Sequence, residues 1–385
     1  MNAHEQGVQV IIVGGGIGGS AAALRAAQHG LRVAWVRGDA ATARTSRARY
    51  VCNVDNMIGV HDGIVKSKAL SLLAGPEHES ARKLLAGTHF HIGTQDIVDD
   101  VERRLRSGFE GRVTLVQAKA VSARRDEAGF VIETEGAGAL HAPAVVLATG
   151  VMDRQPRIKA TTRNGKSIDD IHWTFPWANA ESLLYCILCE GHLTPGAPVA
   201  VFGASEAAAQ VALMLHERYD VGVTLLGNGA PLSATPDTQR LLDAYRIAFR
   251  DSRVVEILDG ATRPKGSSLR GFGLEDGTTV EARFGMVAMG LHRVYNDLAR
   301  QLGAELDPGD AGPDHERHVM VDDATSETSV PGLFAVGDMS RHRGGSPSLK
   351  QIYTAQEYAV RAIQAVDRRI RTSRRRSILA GGSGA

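Results

Sequence analysis

Cysteine is scarce in this chain. Three residues in 385 cannot make a structural disulfide framework, so a close pair points to catalysis or metal binding. Aromatic residues are also few, at 5%. An excess of either charge is missing, because 44 Lys+Arg face 43 Asp+Glu and leave a formal net charge of +1. No global field therefore recruits nucleic acid or an anionic membrane. No apolar run reaches the ~18 residues that a membrane-spanning helix needs. The opening MNAHEQGVQVIIVGGG lacks a basic segment followed by an apolar stretch and a small-residue cleavage site. A cytoplasmic location is the resulting expectation.

What is abundant is glycine, with 43 residues, which suits tight strand-to-helix turns and close helix–sheet packing. At 385 residues the chain exceeds the roughly 250–300 at which one core stops growing, so two domains are expected. The stretch VQVIIV, GGGIGG, SAAALRAAQHG, LRVAWV passes from a buried strand pattern to helical spacing and back, which is a βαβ unit. APVAVFG, ASEAAAQVALMLHERY and VGVTLLG repeat that succession. The fold class read from this is α/β, with two Rossmann-like dinucleotide-binding domains, the second inserted in the first. The boundaries expected are 1–155 and 294–372 for the discontinuous first domain and 156–293 for the insert. Strands are expected at Val113–Val116, Phe130–Thr134, 144–150, 284–290 and 332–338, and a helix at Leu349–Ile370. The remaining 373–385, SRRRSILAGGSGA, reads as a disordered basic tail.

Gly14, Gly16 and Gly19 form G-x-G-x-x-G between a strand and a helix, where a diphosphate can approach the backbone and sit on the helix N-terminus. The next strand, VAWVRGD, carries Arg37 where an acidic ribose ligand is usual, with Asp39 two residues on. Near the end of the chain GLFAVGD supplies Gly337 and Asp338, a carboxylate at a strand end beside which a ribityl chain or diphosphate can lie.

Cys186 and Cys189 stand in ESLLYCILCEGHL. A C-x-x-C pattern serves as a redox dithiol, as half of a zinc site or as two buried small hydrophobes. Zinc would need further ligands, and only His192 and the remote Cys52 offer themselves, so no metal site is expected. The redox reading is favoured because this spacing lets the sulfurs meet at a helix start, where thiolate is stabilised. Glu190 and His192 are then candidate proton donors or acceptors. Trp173, Phe175 and Trp177, just upstream, are candidates for covering the site or packing a core.

Taken together, these motifs resemble the low-molecular-weight thioredoxin reductase family, a group of FAD-dependent pyridine nucleotide-disulfide oxidoreductases, from about Val8 to Ile370. VGGGIGG, with Ile17, resembles the FAD-phosphate turn, VDNMIG, with Asn56, the flavin-proximal loop, and LATG, with Thr149 and Gly150, a characteristic strand end. YCILCEG resembles the active-site C-x-x-C, GLFAVGD the second FAD motif, and LKQI, with Lys350, Gln351 and Ile352, the segment against the isoalloxazine ring. The resemblance implies bound FAD, a homodimer, Cys189 facing the flavin, Cys186 exchanging with substrate and Glu190 as acid catalyst. The substrate implied is a thioredoxin-like protein or a small dithiol or disulfide.

The chain also departs from that pattern. Members using NADPH carry a second G-x-G-x-x-A turn and a His-Arg-Arg clasp for the 2′-phosphate. Here the turn reads GASEAA, with Gly203, Ser205 and Glu206 as its possible nucleotide contacts, and the following strand ends in Gly227-Asn228-Gly229. Without the guanidinium clasp, NADPH, NADH, ferredoxin and molecular oxygen all stand as electron partners. Relatives with a similarly degenerate turn oxidise dithiol metabolites with oxygen.

Overall fold

A computed structural model of the chain describes residues 7–380, apart from 55, 61, 74, 89, 162–166, 171–173, 260–268, 311 and 345–348. The chain divides into two compact units, Met1–Met152 with Arg293–Ala385, and Asp153–His292.

The first unit opens with β1 (Val10–Val13), α1 (Ile17–Gln28) and β2 (Val33–Val36). A longer helix, α2 (Thr94–Gly108), precedes β3 (Val113–Val116), and β4 (Val145–Leu147) follows a three-stranded antiparallel sheet spanning 120–142. The second unit contains β5 (Leu183–Leu184), α3 (Ile187–Glu190), β6 (Val199–Phe202), α4 (Glu206–Tyr219) and β7 (Val223–Leu226). It continues with α5 (Pro236–Ala244), β8 (Ala248–Arg250) and β9 (Phe284–Val287). On return to the first unit come β10 (Leu333–Ala335) and α6 (Ile352–Leu379).

Each unit is built on a five-stranded parallel sheet, in the order β10-β4-β1-β2-β3 and β5-β9-β6-β7-β8. Strands buried on both faces lose the in–out alternation and become continuous apolar runs. In VIIV of β1 and VAVF of β6 no side chain is more than 4% exposed. Each such Val, Ile or Phe contributes roughly 1.5–3 kcal/mol by leaving water. In each sheet a glycine turn follows the central strand, so both turns emerge at carboxyl strand ends, where α/β sheets take ligands.

Close packing explains the alanine usage. Ala22, Ala23, Ala26 and Ala27 of α1 share one buried core with Ala355, Ala359 and Ala362 of α6. No helix among the described residues is long and apolar enough to cross a membrane.

The tail expectation needs correction. Helix α6 runs on past Ile370 to Leu379, so 373–379 is helical and not disordered. The segment RTSRRRSIL contains neither glycine nor proline, Arg is a good helix former, and Arg371 pairs with Asp367 one turn back at 2.9 Å.

Candidate functional site

The first glycine turn gives a direct test of fit for a dinucleotide. Gly14 has φ +135°, and a β-carbon there would collide with the backbone of Ala148, while one at Gly19 would collide with the Gly14 carbonyl. Packing of strand, helix and neighbouring strand therefore demands both. Gly16, the N-cap of α1, has φ −92°, and a β-carbon there would make only an ordinary 3.6 Å contact with Ala48 Cβ. Neither strain nor internal crowding explains Gly16. A bare glycine here leaves the protein backbone able to come close to a pyrophosphate, and no side chain caps this helix. The buried Trp35 of β2 steadies the turn by donating its indole N–H to Gly14 O at 2.9 Å.

Other candidates of the first unit gather in small groups. Asp338 lies on the 3-10 turn Gly337–Met339 after β10, and Gly337 takes φ +73°. Arg47, from another 3-10 turn, Arg47–Tyr50, donates Nη1 to Asp338 Oδ2 at 2.8 Å. Asn56 Nδ2 donates to Gln351 Oε1 at 3.0 Å, bringing the flavin-loop and C-terminal candidates together. Gln351 is buried at the N-cap of α6, Ile352 is its first residue, and Lys350 is half-buried beside them. Thr149 Oγ1 donates to the Tyr295 carbonyl at 2.5 Å, and Gly150 takes φ +72°. Arg37 is engaged elsewhere, by Glu102 and by Asp99 at 3.4 Å, both on α2. Asp39 caps a one-turn helix through Thr42, and those hydrogen bonds hold its carboxyl below the usual carboxylate range.

In the second unit, Cys186 and Cys189 form a disulfide with a Cα–Cα distance of 5.2 Å. Cys186 is the N-cap of α3. That helix has only four residues, so its aligned peptides give a thiolate less dipole support than a full helix would. Glu190 instead closes a loop around the first cysteine: its Oε2 accepts from Tyr185 N at 2.9 Å and Cys186 N at 3.2 Å. Tyr185 donates its hydroxyl to Gln155 Oε1 at 2.5 Å. Burial pushes its phenol well above the usual value, with the charges of Asp153 and Glu190 adding to the shift, so it stays protonated. His192 is exposed on the 3-10 turn Gly191–Leu193. A β-carbon at Gly191 would sit 2.7 Å from the Tyr219 ring, so glycine lets the cysteine loop lie against α4 with that ring where it is. Cys52, half-buried, lies outside the disulfide and donates Sγ to Tyr50 O at 3.8 Å. Trp173 and the side chain of Phe175 lie outside the described residues. Trp177 packs against the core around Phe202 and Phe272. Among the described residues no group of three or more His, Cys, Asp and Glu could hold a metal ion.

The second glycine turn is built differently. Gly203 takes φ +153°, and its β-carbon would lie 2.5 Å from Ala208 Cβ. The two positions that match the nucleotide pattern are thus explained by packing against each other. The middle position is Ser205, the N-cap of α4, whose hydroxyl accepts from Ala208 N at 3.3 Å. Glu206 accepts from Thr238 Oγ1 at 2.6 Å, Thr235 N at 2.7 Å and Gln210 Nε2 at 2.9 Å, which together lower its pKa. Ser233 N donates to Ala204 O at 2.7 Å. At the end of β7, Asn228 donates to Arg157 O at 2.7 Å and accepts from Val254 N at 2.9 Å, a backbone clip in left-handed conformation (φ +50°).

Sequence reasoning missed Arg47, Tyr185 and Tyr295. Tyr185 stands beside Cys186 and was open to notice, whereas nothing in the local sequence marks the other two, which matter through tertiary contacts alone.

Known proteins resemble the chain along most of its length. Over 341 residues the chain is 26% identical to the bifunctional thioredoxin reductase/thioredoxin of Mycobacterium leprae (strain TN), covering 88% of this chain and 61% of that protein. It is 26% identical over 338 residues to the thioredoxin reductase of Streptomyces clavuligerus, with 86% of each covered. The chain spans about three fifths of the length of the first curated relatives it matches. The solved structure of HlmI superposes with a TM-score of 0.71 at 21% identity, covering 99% of this chain and 98% of that one, a likeness of fold. The model of the pyridine nucleotide-disulphide oxidoreductase family matches residues 8–359. With nearly the whole chain inside that match, the doubled sheet, the first glycine turn and the paired cysteines have a common explanation: this chain belongs to the pyridine nucleotide-disulphide oxidoreductase family.

Proposed function

We propose that this chain is an FAD-dependent thiol–disulfide oxidoreductase of thioredoxin-reductase type. The observation that carries the reading is the Cys186–Cys189 disulfide at the start of α3. FAD would be held at Gly14, Gly16, Ile17 and Gly19, with Asp338 and the Asn56–Gln351 pair as further contacts. When bound, FAD supplies or takes up the electron pair that opens or closes the disulfide.

The residues themselves do the exchange. Once the pair is reduced, the Cys186 thiolate attacks one sulfur of a substrate disulfide, forming a mixed disulfide and expelling the first substrate thiolate. Cys189 then attacks Cys186 Sγ, releasing the second thiolate and restoring the intramolecular disulfide. Two electrons pass to substrate, and protons follow to the released thiolates. Glu190, whose carboxylate closes the loop around Cys186, and the exposed His192 serve proton movement. The substrate is a thioredoxin-like protein or a small dithiol or disulfide, and the enzyme works as a cytoplasmic homodimer.

The test is anaerobic turnover of a disulfide by the FAD-loaded protein and its Cys186→Ser variant. The variant should keep FAD and lose turnover by about 10³-fold or more. Unchanged turnover would remove the disulfide from the mechanism.

A second reading, oxidation of dithiols with molecular oxygen as acceptor and no nicotinamide, is favoured by the second glycine turn. Ser205 occupies the place of the middle glycine, and Asn228 is committed to the backbone at the strand end where phosphate-binding arginines would stand. In this direction a substrate dithiol becomes a disulfide, and its two electrons and two protons end in hydrogen peroxide. Anaerobic mixing with NADPH, NADH and dithiothreitol separates the two. Loss of flavin absorbance with a nicotinamide supports the reductase, and loss with the dithiol alone supports the oxidase.

A further inference from the structure

We infer that Arg47 is a positioning residue for the FAD diphosphate, acting by holding and neutralising Asp338; the inference rests on the proposed FAD reading. Three segments distant in sequence meet around the N-terminus of α1. The first is the glycine turn itself, and the second is the 3-10 turn that carries Arg47, since Ala48 Cβ would be the nearest neighbour of a β-carbon on Gly16. The third is the turn of Asp338: a β-carbon on Gly18, in the first turn of α1, would lie 3.4 Å from Val336 Cγ2 and 3.9 Å from Gly337 N. The 2.8 Å Arg47–Asp338 bond joins these two turns directly.

The electrostatics give that bond a purpose. A diphosphate seated on the helix N-terminus brings negative charge close to the Asp338 carboxylate, and an uncompensated pair of anions there repels. The guanidinium cancels the carboxylate charge and fixes its direction through a charge-assisted hydrogen bond. Both side chains are about three quarters covered, at 27% and 21% exposure, so the pair is less screened than an open surface pair. The segment carrying Arg47 is itself tethered. Tyr295 donates its hydroxyl to Thr45 O at 2.6 Å, and the Tyr295 carbonyl receives Thr149 Oγ1. Arg47 is thereby linked to the strand end at Thr149 as well as to Asp338.

The experiment measures FAD affinity by quenching of flavin fluorescence on titration into deflavinated protein. The proteins are wild type, Arg47→Ala, Arg47→Lys, Asp338→Asn and the Arg47→Ala/Asp338→Asn double variant, with circular dichroism following the fold of each apoprotein. Arg47→Ala should weaken FAD about tenfold or more, and Arg47→Lys, which keeps the charge, only about threefold. Because Arg47 acts through Asp338, adding Arg47→Ala to Asp338→Asn should cost less than about twofold further. Undiminished affinity in Arg47→Ala, or penalties that simply multiply in the double variant, would overturn the inference while leaving the FAD reading intact. A wild type that takes up no FAD would overturn both. If the alanine variant does not fold, Arg47→Met, which keeps the apolar stem, takes its place under the same criteria.

Discussion

The two units carry the same five-stranded parallel sheet and a glycine turn at the same place in it, yet the helix after the first turn has no side-chain cap and the helix after the second has one. At Gly16 the backbone is bare, unstrained and uncrowded. At the matching Ser205 a side chain already caps the helix, and the segment after β7 is hydrogen-bonded back onto the turn through Ser233 and Thr235. The lesson concerns how glycine patterns are read. Gly14, Gly19 and Gly203 answer to packing, so the middle position, Gly16 in one turn and Ser205 in the other, is where the two turns differ.

Exchanging the middle residues probes this contrast most strongly. Gly16→Ser should leave the apoprotein folded and weaken FAD by roughly two orders of magnitude, since hydrogen bonds to a charged group are worth about 1.5–3 kcal/mol each. Fluorescence titration with the cofactor reads the loss. FAD uptake equal to wild type would show that both turns are merely structural.

Asn228 offers the next largest effect. Asn228→Ala removes both ends of the clip and places alanine at a left-handed position, costing about 2 kcal/mol of stability. Urea unfolding measures it, and FAD content should not change. An unaltered midpoint would mean that the clip is idle and Asn228 is available to a ligand.

Ser205→Ala should cost about 1 kcal/mol through the lost cap, and Ser205→Gly only a few tenths. If Ser205→Gly instead confers flavin bleaching by NADPH, the difference between the turns reduces to one hydroxymethyl group.

The smallest effect is a pH dependence. The hydrogen bonds from Thr238, Thr235 and Gln210 hold the Glu206 carboxyl below its ordinary value, so its stabilising share is fully present above the unfolded pKa and is lost as pH falls through the lowered folded pKa. The stability gap between wild type and Glu206→Gln, from urea midpoints across the acid range, should therefore shrink on acidification. A gap that stays constant would show that the three hydrogen bonds do not depend on ionisation.

Much of this was legible in the sequence, for identifiable reasons. Buried parallel strands write themselves as VIIV or VAVF, and glycine turns follow them directly, so the doubled α/β fold and the first turn could be read locally. The C-x-x-C spacing likewise marked a pair that is disulfide-bonded. Other features depend on partners far along the chain. Arg47 meets Asp338 across 291 positions, and Arg37 finds Asp99 and Glu102 on a helix that periodicity did not single out. The end of α6 failed for another reason: a run of arginines satisfies composition rules for disorder and helix propensity alike, and here the helix prevails.

Gly191 has a consequence for anyone wishing to transplant the redox pair. Because the cysteine loop rests on the Tyr219 ring, which a β-carbon at Gly191 would displace, the portable module is larger than Cys-x-x-Cys. It comprises Tyr185 through Gly191 together with the end of α4 that receives them. A graft of the four residues alone would carry the chemistry without its seat.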